Sequence, residues 1–419
     1  MGRLLQQVLL FAAAALLRLI LFLVFPSLPD FFTGRVEVST PVTSFKRLQE
    51  GLFLYTRNVS PYDGGVFYQP PLLLTLFSFI PDSIFTTVTA LLYIGLDLAS
   101  AQALIEIADS KLSGHELFYK SPRRHSRWGS LAVAAAFLFN PLTVISCLGR
   151  PTSIFSNYAI LLAISKAIQG KTGNAIIALS MAAYQSMYPA ILLLPLLLLA
   201  HDVSTQGIIG TDTGFLVRHA ALFFGAISAL FGLSYLVTGS WEFFASTYGN
   251  QLLLVDLTPN IGLWWYFFIE MFDSFREFFL GVFWLHLLSY VGGLSVRLRT
   301  QPLFVTITMV GLIAVFIPYP SISNASIYLG LFPLYKHIFP LMRTTFIYTT
   351  ALLYSIVLGP AFYYLWIYAG SGNANFFYAI TLVWGLGFSL LIGDSIWATL
   401  RDEWEVTRPE MKDKPIRQI

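Results

Sequence analysis

Apolar residues fall in long continuous runs along the whole chain, without the short alternation that is typical of strands. Several runs reach the roughly 20 residues that an α-helix needs to cross about 30 Å of hydrocarbon. Inside a bilayer only helices or closed barrels satisfy every backbone polar group, and continuous leucine-rich runs favour helices. We therefore predict twelve spans, near residues 4–25, 83–107, 129–148, 152–168, 174–189, 190–200, 219–238, 273–293, 302–319, 324–341, 345–368 and 376–397.

These runs predict an all-α polytopic membrane protein that forms one integral membrane domain over residues 1–419. The first run has no convincing small-residue cleavage site behind it, so we expect an uncleaved anchor. Two connecting segments, 27–71 and 239–272, are longer than simple turns and are expected to carry short interfacial helices. In the second, the sequence WWYFF is expected to lie flat at the membrane interface, where such rings are favoured.

The positions of the basic residues predict the orientation, because cytoplasmic loops retain Lys and Arg. Placing the N-terminus in the cytosol puts most of the 25 Lys and Arg residues on that side. They are concentrated in a basic loop at 109–128 and in a tail at 398–419. We therefore expect both termini in the cytosol, with 27–71 as the first lumenal loop and 239–272 as the second lumenal segment.

Composition and charge exclude several classes of function. The chain is 56% hydrophobic and only 11% charged, so the bilayer is its natural solvent. Its single cysteine, Cys147, excludes an intramolecular disulfide and any cysteine-based metal cluster. Dispersed basic residues at a net charge of +3 form no stripe that follows a phosphate backbone. We expect no metal, no cofactor and no nucleic-acid partner.

Catalytic motifs are absent from the sequence, which has no GxSxG, HExxH or Walker loop. Glycosyl transfer from a lipid-phosphate donor needs a carboxylate base in a first lumenal loop, and Glu37 alone could serve there. The competing interpretation is an exposed acid paired with Arg35 or Lys46. We therefore assign no catalytic residue, and we expect the charged residues inside the spans to face the bundle interior, a cavity or a headgroup layer.

Polar clusters at the lumenal ends of the spans are the sharper signal, and they indicate binding of a polar headgroup. Asn373 and Asn375, with Ser371, begin the last span, and amides both donate and accept hydrogen bonds, as sugar hydroxyls and phosphate oxygens require. Helix capping is the alternative, since Asn is a good N-cap. The other candidates for contact with this headgroup or its lipid are Asp256, Asn260, Asn324, Trp264, Trp265, Glu37 and Tyr62.

Arg218 is a separate candidate at the opposite face. Together with the following histidine it begins a span on the predicted cytosolic side, where it could pair with the phosphate of an anionic lipid. The alternative is an ordinary cytosolic basic residue that only fixes the orientation of the span.

Four long segments, in order, resemble the PIG-U family of GPI transamidase subunits. They are RVEVSTPVTSFKRLQEG at 35–51, SPYDGGVFYQPPLL at 60–73, DLTPNIGLWWYFFIEMFDSFREFF at 256–279 and LWIYAGSGNANFFYAITL at 365–382. The resemblance implies a non-catalytic subunit of the endoplasmic-reticulum complex that attaches GPI to proteins with a C-terminal signal. It implies that a caspase-like protease subunit, the GPI lipid and membrane phospholipids are the partners. This chain would help to bind and present the glycan and acyl region of the GPI lipid.

The PIG-U family is itself similar to the GT-C type mannosyltransferases of GPI assembly, which implies a GT-C-like arrangement of the spans. Those transferases carry D-x-D in the first lumenal loop and D-x-x-H-N later. Here 35–37 reads RVE and 256–260 reads DLTPN, so an arginine replaces the first carboxylate and Pro259 replaces the histidine. Both departures indicate a transferase scaffold retained as a binding module.

Two other functions remain as alternatives. An active lumenal lipid-donor mannosyltransferase would rest on Glu37. A lipid transporter or flippase would predict inverted repeats and paired discontinuous spans, and the sequence shows no such repeat.

Overall fold

The computed structural model describes residues 2–110, 121–205, 212–411 and 414, and within those residues it contains helices and no strand. The predicted all-α class is therefore confirmed. Parts of the basic loop 109–128 and of the tail 398–419 lie outside the described residues. The first nine helices are α1 (Gly2–Val24), α2 (Leu28–Thr33), α3 (Phe45–Tyr55), α4 (Pro71–Ser78), α5 (Phe85–Asp109), α6 (Ser130–Leu138), α7 (Pro141–Gly149), α8 (Ser153–Ile168) and α9 (Thr172–Gln185).

Nine further helices complete the described part of the chain. A short 3-10 turn, Tyr188–Leu192, comes directly before the first of them. A second 3-10 segment, Phe332–Leu341, follows the helix that ends at Leu331. They are α10 (Leu193–Ser204), α11 (Thr213–Thr238), α12 (Asn250–Leu253), α13 (Trp264–Ile269), α14 (Asp273–Arg297), α15 (Pro302–Phe316), α16 (Ile322–Leu331), α17 (Thr345–Ile367) and α18 (Ala374–Thr407).

Six helices in the described residues are long and apolar enough to cross a membrane, namely α1, α5, α11, α14, α17 and α18. The pair α6 and α7, bent by 53° at its break, would make a seventh. Only 11–17% of the apolar window is buried in α1, α11, α14 and α17. These four helices therefore form an outer surface that is available to lipid or to other proteins.

The other predicted spans form shorter helices in the interior. Helix α8 has 16 residues, which at 1.5 Å per residue is about 24 Å, short of the hydrocarbon thickness. Helix α15 has 15 residues, and all of them except Phe316 are buried. Short helices can lie at membrane depth when surrounding protein satisfies their ends. All twelve runs thus form helices where predicted, but about six reach spanning length alone.

The centre of the bundle is packed closely around Gly311 of α15. A Cβ atom there would lie 2.8 Å from the ring of Tyr328 on α16 and 3.1 Å from Ile392 on α18. Only a glycine lets these three helices approach so closely. The short helices α15 and α16 are thereby packed closely against the long helix α18.

Charged residues inside the bundle are paired, in agreement with the expectation that they face inward. Arg18 on α1 and Asp97 on α5 form a buried ion pair with 2.8 Å between Nη2 and Oδ2. Arg18 also donates to the carbonyl of Leu138 at 3.0 Å, where α6 ends at its bend. Asp394 on α18 accepts from the backbone N–H groups of Arg343 and Thr344, just before α17 begins. The Arg18–Asp97 ion pair therefore stabilises the break between α6 and α7. The hydrogen bonds to Asp394 fix the start of α17 against α18.

Segments 27–71 and 239–272 pack together at one end of the bundle, which we call the loop end. Arg47 of α3 forms an ion pair with Asp256, with 2.9 Å between Nη1 and Oδ2. The backbone N–H of Ile322, at the start of α16, donates to the carbonyl of Glu37 at 2.9 Å. Both segments are therefore ordered against the bundle.

Candidate functional site

The beginning of α18 is capped by one of the predicted site residues. Asn373 is its N-cap, and its Oδ1 accepts from the backbone N–H groups of Asn375 at 3.0 Å and Phe376 at 3.4 Å. Capping is thus an observed role of Asn373. The cap uses only Oδ1, so the exposed Nδ2 group can still donate to a ligand.

An open cleft of about 450 Å³ lies beside this cap, and we call it the polar mouth. It brings together Asn373, Asn375 and Trp265, which the sequence places in two segments more than 100 residues apart. The other wall residues come from the same two segments and from the end of α17. They are Pro259, Tyr266, Ile269, Glu270, Trp366 and Ala374.

Aromatic rings form the wall of the polar mouth. Tyr266 stacks on Tyr378 with 4.6 Å between ring centroids, and its hydroxyl donates to Oδ1 of Asn375. Trp265 lies parallel to Trp366 at 6.2 Å and is only 1% exposed. Its indole N–H has no partner among the described residues, although buried polar groups are nearly always paired. The wall therefore consists of aromatic rings, and the unpaired indole N–H is buried within it.

A second cleft, of about 220 Å³, lies between α17, α18 and the first loop, and we call it the apolar cleft. Arg35 and Glu37 lie on its wall as an ion pair, with both guanidinium contacts at 3.0 Å or less. Nearly all the other wall residues are hydrophobic. They include Phe31, Phe32, Leu142, Ile145, Ile261, Ile322, Ile356, Pro360, Phe377, Ile380 and Trp384.

The two clefts are neighbours, separated by one small buried cluster. Val36, between the two charged residues of the ion pair, packs in that cluster with Trp265 and Phe377. Trp265 lies on the wall of the polar mouth and Phe377 on the wall of the apolar cleft. The polar mouth and the apolar cleft therefore share this cluster as a common wall.

Two other predicted site residues hold the second loop in place. Asp256 pairs with Arg47, and its backbone carbonyl accepts from the hydroxyl of Tyr319 at 2.7 Å. Burial, and secondarily the carboxylate of Asp256, raise the pKa of the nearby Tyr68 above its ordinary value. Asn260 is fully buried and its Oδ1 accepts from the backbone N–H of Gly262 at 2.7 Å.

The remaining predicted residues lie away from the polar mouth. Asn324 forms a capping box with Ser321 at the start of α16. Trp264 is buried, and its indole N–H donates to the carbonyl of Phe316 at 2.9 Å. Tyr62 is also buried, and its hydroxyl donates to a carbonyl within the first loop. Ser371 is exposed in the turn before α18, and Arg218 is exposed on α11.

Residues of the site that the sequence did not single out are Tyr266 and Trp366, whereas Arg35 forms the ion pair with Glu37 that was the competing interpretation of that acid. Tyr266 belongs to the WWYFF segment, which was expected to lie flat at the membrane interface. Trp264 and Trp265 of that segment are instead enclosed by protein. Trp366 belongs to the quoted segment 365–382 but carries no polar signal of its own. Within the described residues, no group of three or more His, Cys, Asp or Glu side chains could hold a metal ion.

Comparison with known proteins gives a consistent result over nearly the whole chain. The family model described as GPI transamidase subunit PIG-U matches residues 12–384. The chain is 36% identical over 397 residues to the human protein named GPI-anchor transamidase component PIGU, with 91% of each chain covered. It is 35% identical over 399 residues to the Saccharomyces cerevisiae protein named GPI transamidase component GAB1, with 95% of each chain covered.

Proposed function

The chain belongs to the PIG-U family of GPI transamidase subunits, and from this membership we propose that it is an accessory subunit of that complex in the endoplasmic-reticulum membrane. The protease and transamidase chemistry would belong to another, caspase-like subunit. The full burial of Cys147, the single cysteine, supports this division of roles, since a catalytic thiol must reach its substrate.

Within the complex, this subunit would bind the GPI lipid and present it for transfer. The observation that carries the proposal is the convergence of three distant segments: 265–270 and 373–375 form a polar mouth, and 35–37 lies on the wall of the neighbouring apolar cleft. Such a pair of clefts suits a ligand with a sugar-phosphate head and acyl chains. Ligand sites are commonly apolar with a few well-placed polar groups, as here.

The polar mouth has the groups that a glycan and its phosphates need. The Nδ2 groups of Asn373 and Asn375, two exposed residues on this wall, are donors for sugar hydroxyls or phosphate oxygens. The faces of Tyr266 and Trp366 are flat surfaces on which the apolar side of a sugar ring can pack. The apolar cleft would take part of one acyl chain, because its walls are almost entirely hydrocarbon.

The arrangement of Arg35 and Glu37 favours this role over the alternative of an active mannosyltransferase. A general base needs a carboxylate that is free to accept the proton of its substrate. Here both carboxylate oxygens of Glu37 accept hydrogen bonds from one guanidinium group. The pair therefore supports a binding wall at the position where the related transferases carry a catalytic motif.

The same proposal extends to topology. We propose that each of the twelve helical segments crosses the membrane once in a GT-C-like arrangement, with the short inner ones shielded by the long outer ones. Segments 27–71 and 239–272 would then be lumenal and both termini cytosolic. Arg218, exposed on α11 at the end opposite these loops, would contact the phosphate of an anionic phospholipid.

Site-specific photocrosslinking tests the proposal. Ile269 lies on the wall of the polar mouth and is 49% exposed, so a photoreactive benzoylphenylalanine placed there should capture radiolabelled GPI lipid in microsomes. The matched control is Leu236 on the outer surface of α11, which is 77% exposed and lines neither cleft. Equal capture at the two positions would contradict a specific site at the polar mouth.

A further inference from the structure

A polar region is enclosed within the bundle, separate from the polar mouth and the apolar cleft. It contains two small cavities. The upper cavity, of about 40 Å³, is reached from the loop end and is lined by Thr43, Ser156, Gln185, Tyr188 and Gln251 among others. The lower cavity, of about 10 Å³, is lined by Asp97, Ser100, Thr143 and Ser146 among others.

One side chain and a chain of hydroxyl groups connect the two cavities. Asn157 lies on the wall of both, and its Nδ2 donates to the carbonyl of Ser323 at 2.9 Å. The hydroxyls of Ser153 and Ser323 lie 2.6 Å apart, and that of Ser321 lies 2.8 Å from Ser323. The cavities are therefore two parts of one polar region that extends from the loop end to Asp97.

Three buried hydroxyl groups on these walls lack a hydrogen-bond partner among the described residues. They belong to Tyr188 in the upper cavity and to Thr143 and Ser146 in the lower one. These three residues are 2–3% exposed, so bulk solvent does not satisfy them. Buried hydroxyls without protein partners, facing a polar cavity, are the usual environment of a structural water molecule.

We propose that the two cavities bind a connected string of ordered water molecules that extends to the Arg18–Asp97 ion pair. A cavity needs about 10–15 Å³ to hold one water molecule, so the upper cavity has room for about three or four and the lower for about one. Each water would find two to four polar partners on the walls. The string would solvate Asp97 deep in the bundle.

Radiolytic labelling in water enriched in oxygen-18 tests the proposal directly. An X-ray pulse generates hydroxyl radicals from bound water, and these oxidise the side chains next to it. Tyr93 is the control for Tyr188, because the two are almost equally buried, at 0% and 3% exposed. Unlike Tyr188, Tyr93 lines neither cavity, and its hydroxyl donates to the carbonyl of Arg150 at 2.7 Å. We expect Tyr188 in the purified full-length chain to be labelled at least fivefold faster than Tyr93. Equal labelling of the two tyrosines would overturn the proposal.

A matched pair of substitutions gives an independent readout. Thr143 and Thr399 are both 2% exposed and both have an unpartnered hydroxyl, but Thr143 borders the lower cavity, whereas Thr399 borders neither of the two cavities. Thr143→Val removes a partner of bound water, so we expect it to lower the melting temperature by about 2–4 °C relative to Thr399→Val. If the cavities are dry, both valines replace an unsatisfied hydroxyl, and the two melting temperatures will rise or stay unchanged together.

Discussion

The guanidinium group of Arg35 holds both carboxylate oxygens of Glu37, with 3.0 Å from Nε to Oε2 and 2.7 Å from Nη2 to Oε1. Each side chain is 13% exposed, and the pair lies on the wall of the apolar cleft. The guanidinium group also lies over the ring of Tyr363 at 5.5 Å. A carboxylate engaged in this way acts as a counterion that fixes the wall of a binding site.

Glu37→Gln should therefore leave GPI attachment within about twofold of the wild type. The amide oxygen can still accept one of the two hydrogen bonds from Arg35, and no proton transfer depends on the carboxylate if Glu37 is only a counterion in a binding wall. Surface display of a GPI-anchored reporter, in cells that lack their own family member, measures the effect. Exposed Glu50→Gln is the control. A loss of more than tenfold with an intact complex would instead make Glu37 a catalytic base.

Replacing Asn373 and Asn375 together by Ala should weaken GPI attachment several-fold while the complex still assembles. The change removes two amides from the polar mouth, and it also removes the cap of α18, which costs about 1 kcal/mol. Asn373→Ser with Asn375→Ala is the control, because serine caps helices about as well as asparagine. If the variant with serine at position 373 attaches GPI normally, the asparagines act only as helix caps. Failure of the double-alanine variant to assemble would lead to the same conclusion.

Tyr266→Phe should affect GPI attachment less than Asn375→Ala does. Both substitutions remove the hydrogen bond between the tyrosine hydroxyl and Oδ1 of Asn375. Only the alanine removes the amide, whereas phenylalanine leaves Oδ1 and Nδ2 free for a ligand and keeps the stacked ring. The reporter assay with both variants, at equal expression, compares them. Equal losses would mean that the amide serves only to hold Tyr266 in place.

Asp97→Leu should destabilise the protein by about 3–5 kcal/mol, because it leaves the charge of Arg18 buried without a partner. Arg18→Met combined with Asp97→Leu should recover most of that loss, since apolar side chains of similar size can replace a buried ion pair. Thermal unfolding of the purified protein in mild detergent measures all three variants. A double variant that is no more stable than Asp97→Leu alone would show that Arg18 has a second essential role.

The sequence predicted where the helices lie but not how they are layered. A window of apolar residues looks the same in α1, which faces outward, and in α15, which is almost wholly enclosed. Length is the signal that separates them, because an enclosed helix need not span the hydrocarbon alone. The bend between α6 and α7 was also missed, since it depends on Arg18, which is distant in sequence, as well as on Asn140 and Pro141.

The candidate site was predicted in part. Residues at the beginning of a span, such as Asn373 and Asn375, lie at the polar mouth because a helix start must be at one face of the bundle. Asn324 begins a helix too, yet it is only half-buried and lies apart from the polar mouth, at a helix start where Ile322 is hydrogen-bonded to Glu37 of the first loop. Which loop covers which helix end depends on pairs such as Arg47 and Asp256, which are more than 200 residues apart. No local pattern encodes such a pairing.

Affinity purification of the tagged chain in mild detergent, with mass spectrometry of the co-purifying proteins and lipids, tests the central claim most directly. Membership in a transamidase predicts recovery of a caspase-like protease subunit together with GPI lipid. Recovery of the chain alone, carrying a dolichol-phosphate sugar, would contradict that claim and would make the segment from Arg35 to Glu37 an active site.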